Sequence, residues 1–158
     1  MKLCFLRHGE ADWPNWTKPD DERPLTQRGR KEMKRVAKFL ELLKFVPDAI
    51  LTSPLPRASQ TAEIIGKRLG IELQTEPALA HGFNMERLRR LLAKRNAECV
   101  MIVGHEPLLS AVYSYLLGEP SVAIDVKKGS IGRIDVDRFT GQPHGVLKWL
   151  MPPKLAGE

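Results

Sequence analysis

Three short stretches carry residue types suited to phosphate chemistry. Arg7-His8-Gly9 follows a short apolar run, Leu3-Cys4-Phe5-Leu6. Ser53 and Arg57 follow Ala49-Ile50-Leu51, and His105 follows Cys99-Val100-Met101-Ile102-Val103. A guanidinium grips phosphate oxygens with paired donors, which a lysine cannot do in the same fixed geometry. A neutral imidazole nitrogen can attack phosphorus, and a second imidazole can donate to the oxygens as charge builds up. Taken alone, Arg7-His8-Gly9 reads equally well as a strand end and a polar turn. The three stretches together point to an anion site with a nucleophile inside it.

The elements that must position these residues alternate. Apolar runs of this length between turn signals read as buried strands. Strands are expected at about Lys2–Arg7, Ala49–Leu51, Ile71–Leu73 and Cys99–Val103. The last, apolar on both faces, is expected to be central and parallel. A first helix opens at Thr26 as N-cap, carries Met33, Val36, Ala37, Leu40 and Leu43 at helical spacing, and is ended by Pro47. A second spans about Pro56 to Leu69, with Gly70 just past its end. Asn84 caps a short third, and Pro107 starts a fourth over Leu108–Leu117. Ile131–Asp137 and Val146–Met151 read as a late β-hairpin around Thr140-Gly141. The alternation predicts an α/β fold, a three-layer sandwich with a mostly parallel central sheet and helices on both faces. In such sheets ligands sit at the carboxyl ends of the strands, where all the candidate residues fall. Helix starts after the second and fourth strands would also aim N–H groups at an anion there.

The chain has 158 residues, 42% hydrophobic and 28% charged, which predicts one globular domain over residues 1–158. The start of the sequence is too short in apolar residues for a signal-peptide core, and no run reaches membrane-span length, so a cytoplasmic protein is expected. Cys4 and Cys99 sit in apolar runs outside any Cys-x-x-Cys pair and read as buried, reduced thiols. The net charge of +6 lies largely on two helix faces, around Arg28–Lys38 and Arg87–Arg95. Few aromatics interleave with these basic residues, so neither nucleic acid nor a membrane is the expected partner. The four histidines lack ligand spacing, and no metal or other cofactor is expected. Trp13-Pro14-Asn15-Trp16 either caps the core or lines a cleft, and His144 reads as surface.

Leu6-Arg7-His8-Gly9, Ser53-Pro54-Leu55-Pro56-Arg57-Ala58-Ser59-Gln60-Thr61-Ala62 and Val103-Gly104-His105-Glu106-Pro107, with Arg23-Pro24-Leu25-Thr26 and Gly29, resemble the histidine phosphatase superfamily, also called phosphoglycerate mutase-like. The motifs keep the family order from residue 6 to 107. Within it the chain is most similar to the SixA-type phosphohistidine phosphatases, the small members of about this length. Only 23 residues separate Thr75 from Cys99, where phosphoglycerate mutases carry a longer insertion.

The resemblance implies a metal-independent hydrolase that passes phosphate through a phosphohistidine on His8. Arg7, Arg57 and His105 would bind and stabilise the phosphoryl group, with Ser53, Gly9, Glu10 and His81 as further substrate-binding candidates. The implied substrate is a phosphorylated protein, dephosphorylated at phosphohistidine. A small phosphorylated metabolite such as a sugar or nucleotide phosphate, or phosphate binding without turnover, are the alternatives. The glutamate that donates a proton in many members aligns with Ala78 here. His81, Glu10, Asp12 and Glu106 remain as candidates for that role.

Overall fold

The computed structural model describes residues 1–138 and 141–157. Six strands form one sheet: β1 (Lys2–Arg7), β2 (Ala49–Thr52), β3 (Leu73–Thr75), β4 (Cys99–Gly104), β5 (Ile131–Arg138) and β6 (His144–Met151). Their order is β3-β2-β4-β1-β5-β6. β1, β2, β3 and β4 pair in parallel; β5 runs antiparallel to both β1 and β6. The sheet is thus mixed, with a parallel half that holds the candidate residues and an antiparallel late hairpin. Thr140, in the expected hairpin turn, lies outside the described residues.

Four helices cover the two faces: α1 (Gln27–Leu42), α2 (Pro56–Leu69), α3 (Met85–Ala93) and α4 (Leu108–Leu116). Met33, Val36, Ala37 and Leu40 of α1 join Ala58, Ala62 and Ile65 of α2 on one side of the sheet. Leu88 and Leu92 of α3 join Leu109, Val112, Tyr113 and Leu116 of α4 on the other. Alternate residues of β1 feed both layers: Cys4 and Leu6 face the first, Leu3 and Phe5 the second. Cys4 and Cys99 are buried and free, as their apolar surroundings require. No helix among the described residues is long and apolar enough to cross a membrane.

Local signals explain most boundaries. Thr26 accepts from the Gly29 N–H at 3.1 Å, and Asn84 accepts from the Arg87 N–H at 3.0 Å, so both caps form as expected. α2 starts on Pro56 and ends at Gly70 in the left-handed region, φ 72°. Two boundaries differ from expectation. α1 stops at Leu42, five residues before Pro47, because Lys44 turns left-handed (φ 53°) and the Phe45 N–H bonds back to Leu40 O at 2.9 Å. Leu43, expected on the buried stripe, is 55% exposed. β3 begins at Leu73 and not Ile71, because the Ile71 N–H is taken by Gly66 O at 3.0 Å as α2 closes.

Trp13 and Trp16 are not in the core. Each indole N–H instead closes the loop before α1, donating to Pro24 O at 2.9 Å and Pro19 O at 3.0 Å. That loop is pressed onto α1 at Gly29, where a Cβ would stand 2.1 Å from Glu10 O. The clash is with backbone, so it cannot be relieved by a rotamer change. Gly29→Ala is therefore expected to destabilise the protein by about 1–3 kcal/mol, while Arg30→Ala, one residue on and exposed, stays within about 0.5 kcal/mol of wild type. Urea denaturation midpoints of the two variants check this.

Candidate active site

The carboxyl ends of β1, β4 and β2 lie side by side, and the chain leaves each with a candidate residue. Arg7 ends β1 and His8 is the first residue past it, so the two are free of the strand's strict alternation. The His8 N–H donates to Gly104 O at 3.0 Å, which fixes the departure of β1 against that of β4. Ser53 follows β2, Arg57 lies in the first turn of α2, and His105 follows β4. His8, Ser53, Arg57 and His105 are all buried, and the rings of His8 and His105 stand 5.3 Å apart.

A hydrogen bond to a carbonyl assigns the tautomer of His8. His8 Nδ1 lies 2.8 Å from Gly9 O; a carbonyl only accepts, so Nδ1 carries the proton and Nε2 keeps its lone pair. The Gly9 N–H in turn donates to Thr61 Oγ1 at 3.0 Å, and that hydroxyl donates to Arg57 O at 2.7 Å. One threonine on α2 thus ties the histidine loop to the backbone of Arg57. Across the site, His105 Nε2 lies 2.8 Å from Ser53 Oγ, which also accepts from the Leu55 N–H at 3.2 Å. His105 Nδ1 is a buried atom with no partner among the described residues.

The electrostatics keep both rings neutral. Burial pushes His8 down to about 3, with the charges of His105, Arg57 and Arg7 adding to it and the Gly9 bond opposing. His105 is lowered to about 4, again by burial first and then by Arg57. Arg7 Nη1 donates to Val126 O at 2.8 Å. Arg57 is held by the 3-10 turn Asp20–Glu22: Nη1 donates to Asp20 O at 2.9 Å and Nη2 to Asp20 Oδ2 at 3.2 Å. Each guanidinium still has a buried Nε without a partner. Arg7 Nε, Arg57 Nε and His105 Nδ1 are thus three unpaired polar atoms, on residues whose charges reach the neutral, lone-pair-bearing His8. Arg23, Arg35, Arg89 and Arg95 also leave a buried Nε, so what sets Arg7 and Arg57 apart is their place at the strand ends beside His8.

The remaining candidates sit further out. Glu10 lines a cavity of about 390 Å³ with Arg7, Arg28 and Lys128, but its carboxylate is engaged by the Asp12 N–H at 3.0 Å and by the Thr26 hydroxyl. Gly9 lies against Met33 and Leu25. His81 lines a separate cavity of about 450 Å³ that His105 shares with Phe83, Glu106 and Leu108. Ala78 faces neither; it lines a third cavity with Arg87, Arg90, Lys94 and Arg95. His144 pairs with Asp137 on the surface at 3.0 Å. Two features were not anticipated from the residues. Thr61 lies one helical turn after Arg57, a spacing that places both on one face and could have revealed it. Asp20 reaches Arg57 across a loop, with no sequence signal.

The family model of the histidine phosphatase superfamily (branch 1) matches residues 3–82, and the chain belongs to that superfamily. Its structure is of the SixA type within the phosphoglycerate mutase-like fold. It superposes on the protein histidine phosphatase SixA complexed with tungstate with a TM-score of 0.79 at 26% identity, covering 97% of each chain. In sequence it is 26% identical to phosphohistidine phosphatase SixA of Escherichia coli over 97% of this chain and 94% of that one. An uncharacterized protein of Picosynechococcus is 35% identical over 96% of this chain and all of its own.

The neutral histidines predict a pH dependence of stability. Their folded values, about 3 and about 4, lie below the ~6.5 of an unfolded histidine. Above pH ~6.5 neither state is protonated and stability is at its full value. Below it the unfolded chain binds protons that the native site refuses, so stability falls toward pH 4, by at most about 1.4 kcal/mol per unit for each ring. Denaturation midpoints between pH 7 and 4.5 should show this slope, and His8→Gln or His105→Gln should each flatten it.

Proposed function

We propose that the protein is a phosphatase that works through a phosphohistidine on His8, and that its substrate is a phosphohistidine on another protein. The observation that carries the reading is a buried, neutral His8 whose Nε2 bears a lone pair, 5.3 Å ring to ring from His105 and within reach of the charges of Arg57 and Arg7. Phosphoryl transfer needs charge neutralisation and positioning more than covalent help. In the proposed sequence His8 Nε2 attacks phosphorus in line with the leaving group. Arg7 and Arg57 grip the equatorial oxygens, and His105 donates from Nδ1 as charge develops. Water then attacks the phosphorus of phospho-His8 and releases inorganic phosphate. Asp20 must yield the Arg57 fork to the incoming phosphate, a doubly charged competitor against an exposed carboxylate. The two arginines and His105 supply the charge stabilisation, so the reading requires no metal.

Three things support the phosphohistidine substrate: likeness to SixA over nearly the whole of both chains, the short β3–β4 connection, and the open approach to His105 beside His81 and Phe83. A phosphorylated imidazole standing out from a protein surface can reach such a site. Its P–N bond is labile and its leaving group carries its own proton, so it asks less of the enzyme than an alkoxide does.

His8→Ala is expected to abolish turnover and the acid-labile phosphoenzyme that rapid quench traps in the wild type; a variant with full activity would overturn the assignment. Phosphohistidine and activated aryl phosphates should turn over well and alkyl phosphates such as glycerol phosphate poorly. Equal kcat/KM values across these classes would sink the substrate proposal while leaving the phosphatase.

A further inference from the structure

We propose that His81, oriented by Asp21, is the proton donor to the leaving group. This deepens the phosphatase reading above and rests on it. His81 Nε2 lies 2.7 Å from Asp21 Oδ2, and the ring lines the same cavity as His105. The surrounding backbone holds it there: buried Leu79 anchors the preceding 3-10 turn, and Arg87 Nη1 donates to His81 O at 3.3 Å. The pair is open to solvent, with side chains 68% and 50% exposed. Exposed ion pairs contribute little to stability, so stability does not account for it.

The other acids near the site are committed elsewhere. Both Glu10 oxygens are engaged, by the Asp12 N–H and the Thr26 hydroxyl. Asp12 is held ionised, well below the usual carboxylate range, by its bond to Lys128, with Arg23 adding to it. Asp20 is shared between Arg57 and Arg23. Glu106 lines the same cavity as His81, but its oxygens accept from the Ser110 N–H at 2.9 Å and the Ser110 hydroxyl at 2.6 Å, at the start of α4. Ala78, where a glutamate was expected, borders a different cavity, so its lack of a carboxylate is not felt at His105. His81 remains, with Nε2 on Asp21 and Nδ1 without a partner among the described residues.

The step balances. The His81 imidazolium releases its Nδ1 proton to the leaving atom as the bond from phosphorus to that atom breaks and the bond to His8 Nε2 forms. In the second half, neutral His81 takes a proton from the water that attacks phosphorus, the P–N bond to His8 breaks, and both rings return to their starting states. A leaving imidazole that already carries a proton needs this donor less than an aryl or alkyl oxygen does.

The test is a leaving-group series on the full chain: 2,4-dinitrophenyl, 4-nitrophenyl and phenyl phosphate. His81→Gln should lower kcat/KM on phenyl phosphate by about a hundredfold and leave the dinitrophenyl ester, which needs no proton, close to wild type. Asp21→Asn should show the same trend more weakly, as a positioning residue would. Added imidazole should restore phenyl phosphate turnover to His81→Gly. A loss equal across the series, or no loss, overturns the donor role while a trapped phosphoenzyme keeps the phosphatase. A wild type that turns over none of the esters and traps no phosphoenzyme refutes both.

Discussion

The bond from His8 Nδ1 to the carbonyl of its own neighbour, Gly9, is the constraint on which the site depends. It decides which ring nitrogen holds the proton and so which one can act. The bond alone would leave the ring free to pick up a second proton, since an accepting carbonyl favours the charged form. Burial opposes this, and it wins: the ring is driven to about 3. The same peptide that orients the ring is itself fixed, because its N–H reaches Thr61 and Thr61 reaches the backbone of Arg57. His8 and Arg57 are therefore registered to one another through α2 and do not depend on loop contacts alone.

The fold supplies this by topology. Three neighbouring parallel strands end at one edge, and each leaves a short polar segment there. Anchoring the strands in two apolar layers makes the edge rigid, so the side chains placed on it can stay unsatisfied without collapse. Arg7, Arg57 and His105 each keep a buried polar atom unpaired, and such groups cost stability when nothing binds them. The structure offsets part of that cost with other hydrogen bonds to the same groups. Val126 O takes one guanidinium nitrogen of Arg7, Asp20 takes two of Arg57 through its carbonyl and its carboxylate, and Ser53 Oγ pairs with His105 Nε2. These bonds fix the direction of each group.

What could be read from the residues divides along physical lines. The span of β1 and both ends of α2 were legible because the signals are local: an apolar run ended by Arg7-His8-Gly9, Pro56 at the start of a helix, Gly70 at its end. The stop of α1 was not, because a lysine took the left-handed position that glycine usually marks, at Lys44. Arg7, His8, Ser53, Arg57 and His105 were legible as a group, since each follows an apolar strand and the topology brings strand ends together. The Asp20 contact with Arg57 and the Asp21 contact with His81 were hidden, because a proline-bearing loop carries no periodicity to say where its acids will fall.

That loop changes the meaning of the cationic site. Its turn, Asp20-Asp21-Glu22, lays acids against the rim while the interior stays cationic. On the proposed reading, a phosphate competes with Asp20 for Arg57 with the larger charge, and a carboxylate ligand has no such advantage over the residue already there. The neighbouring Asp21 does the opposite for His81, orienting an imidazole without burying it. Two adjacent acids on one turn thus take separate partners: Asp20 holds the Arg57 guanidinium, and Asp21 holds His81, which lines the cavity of His105.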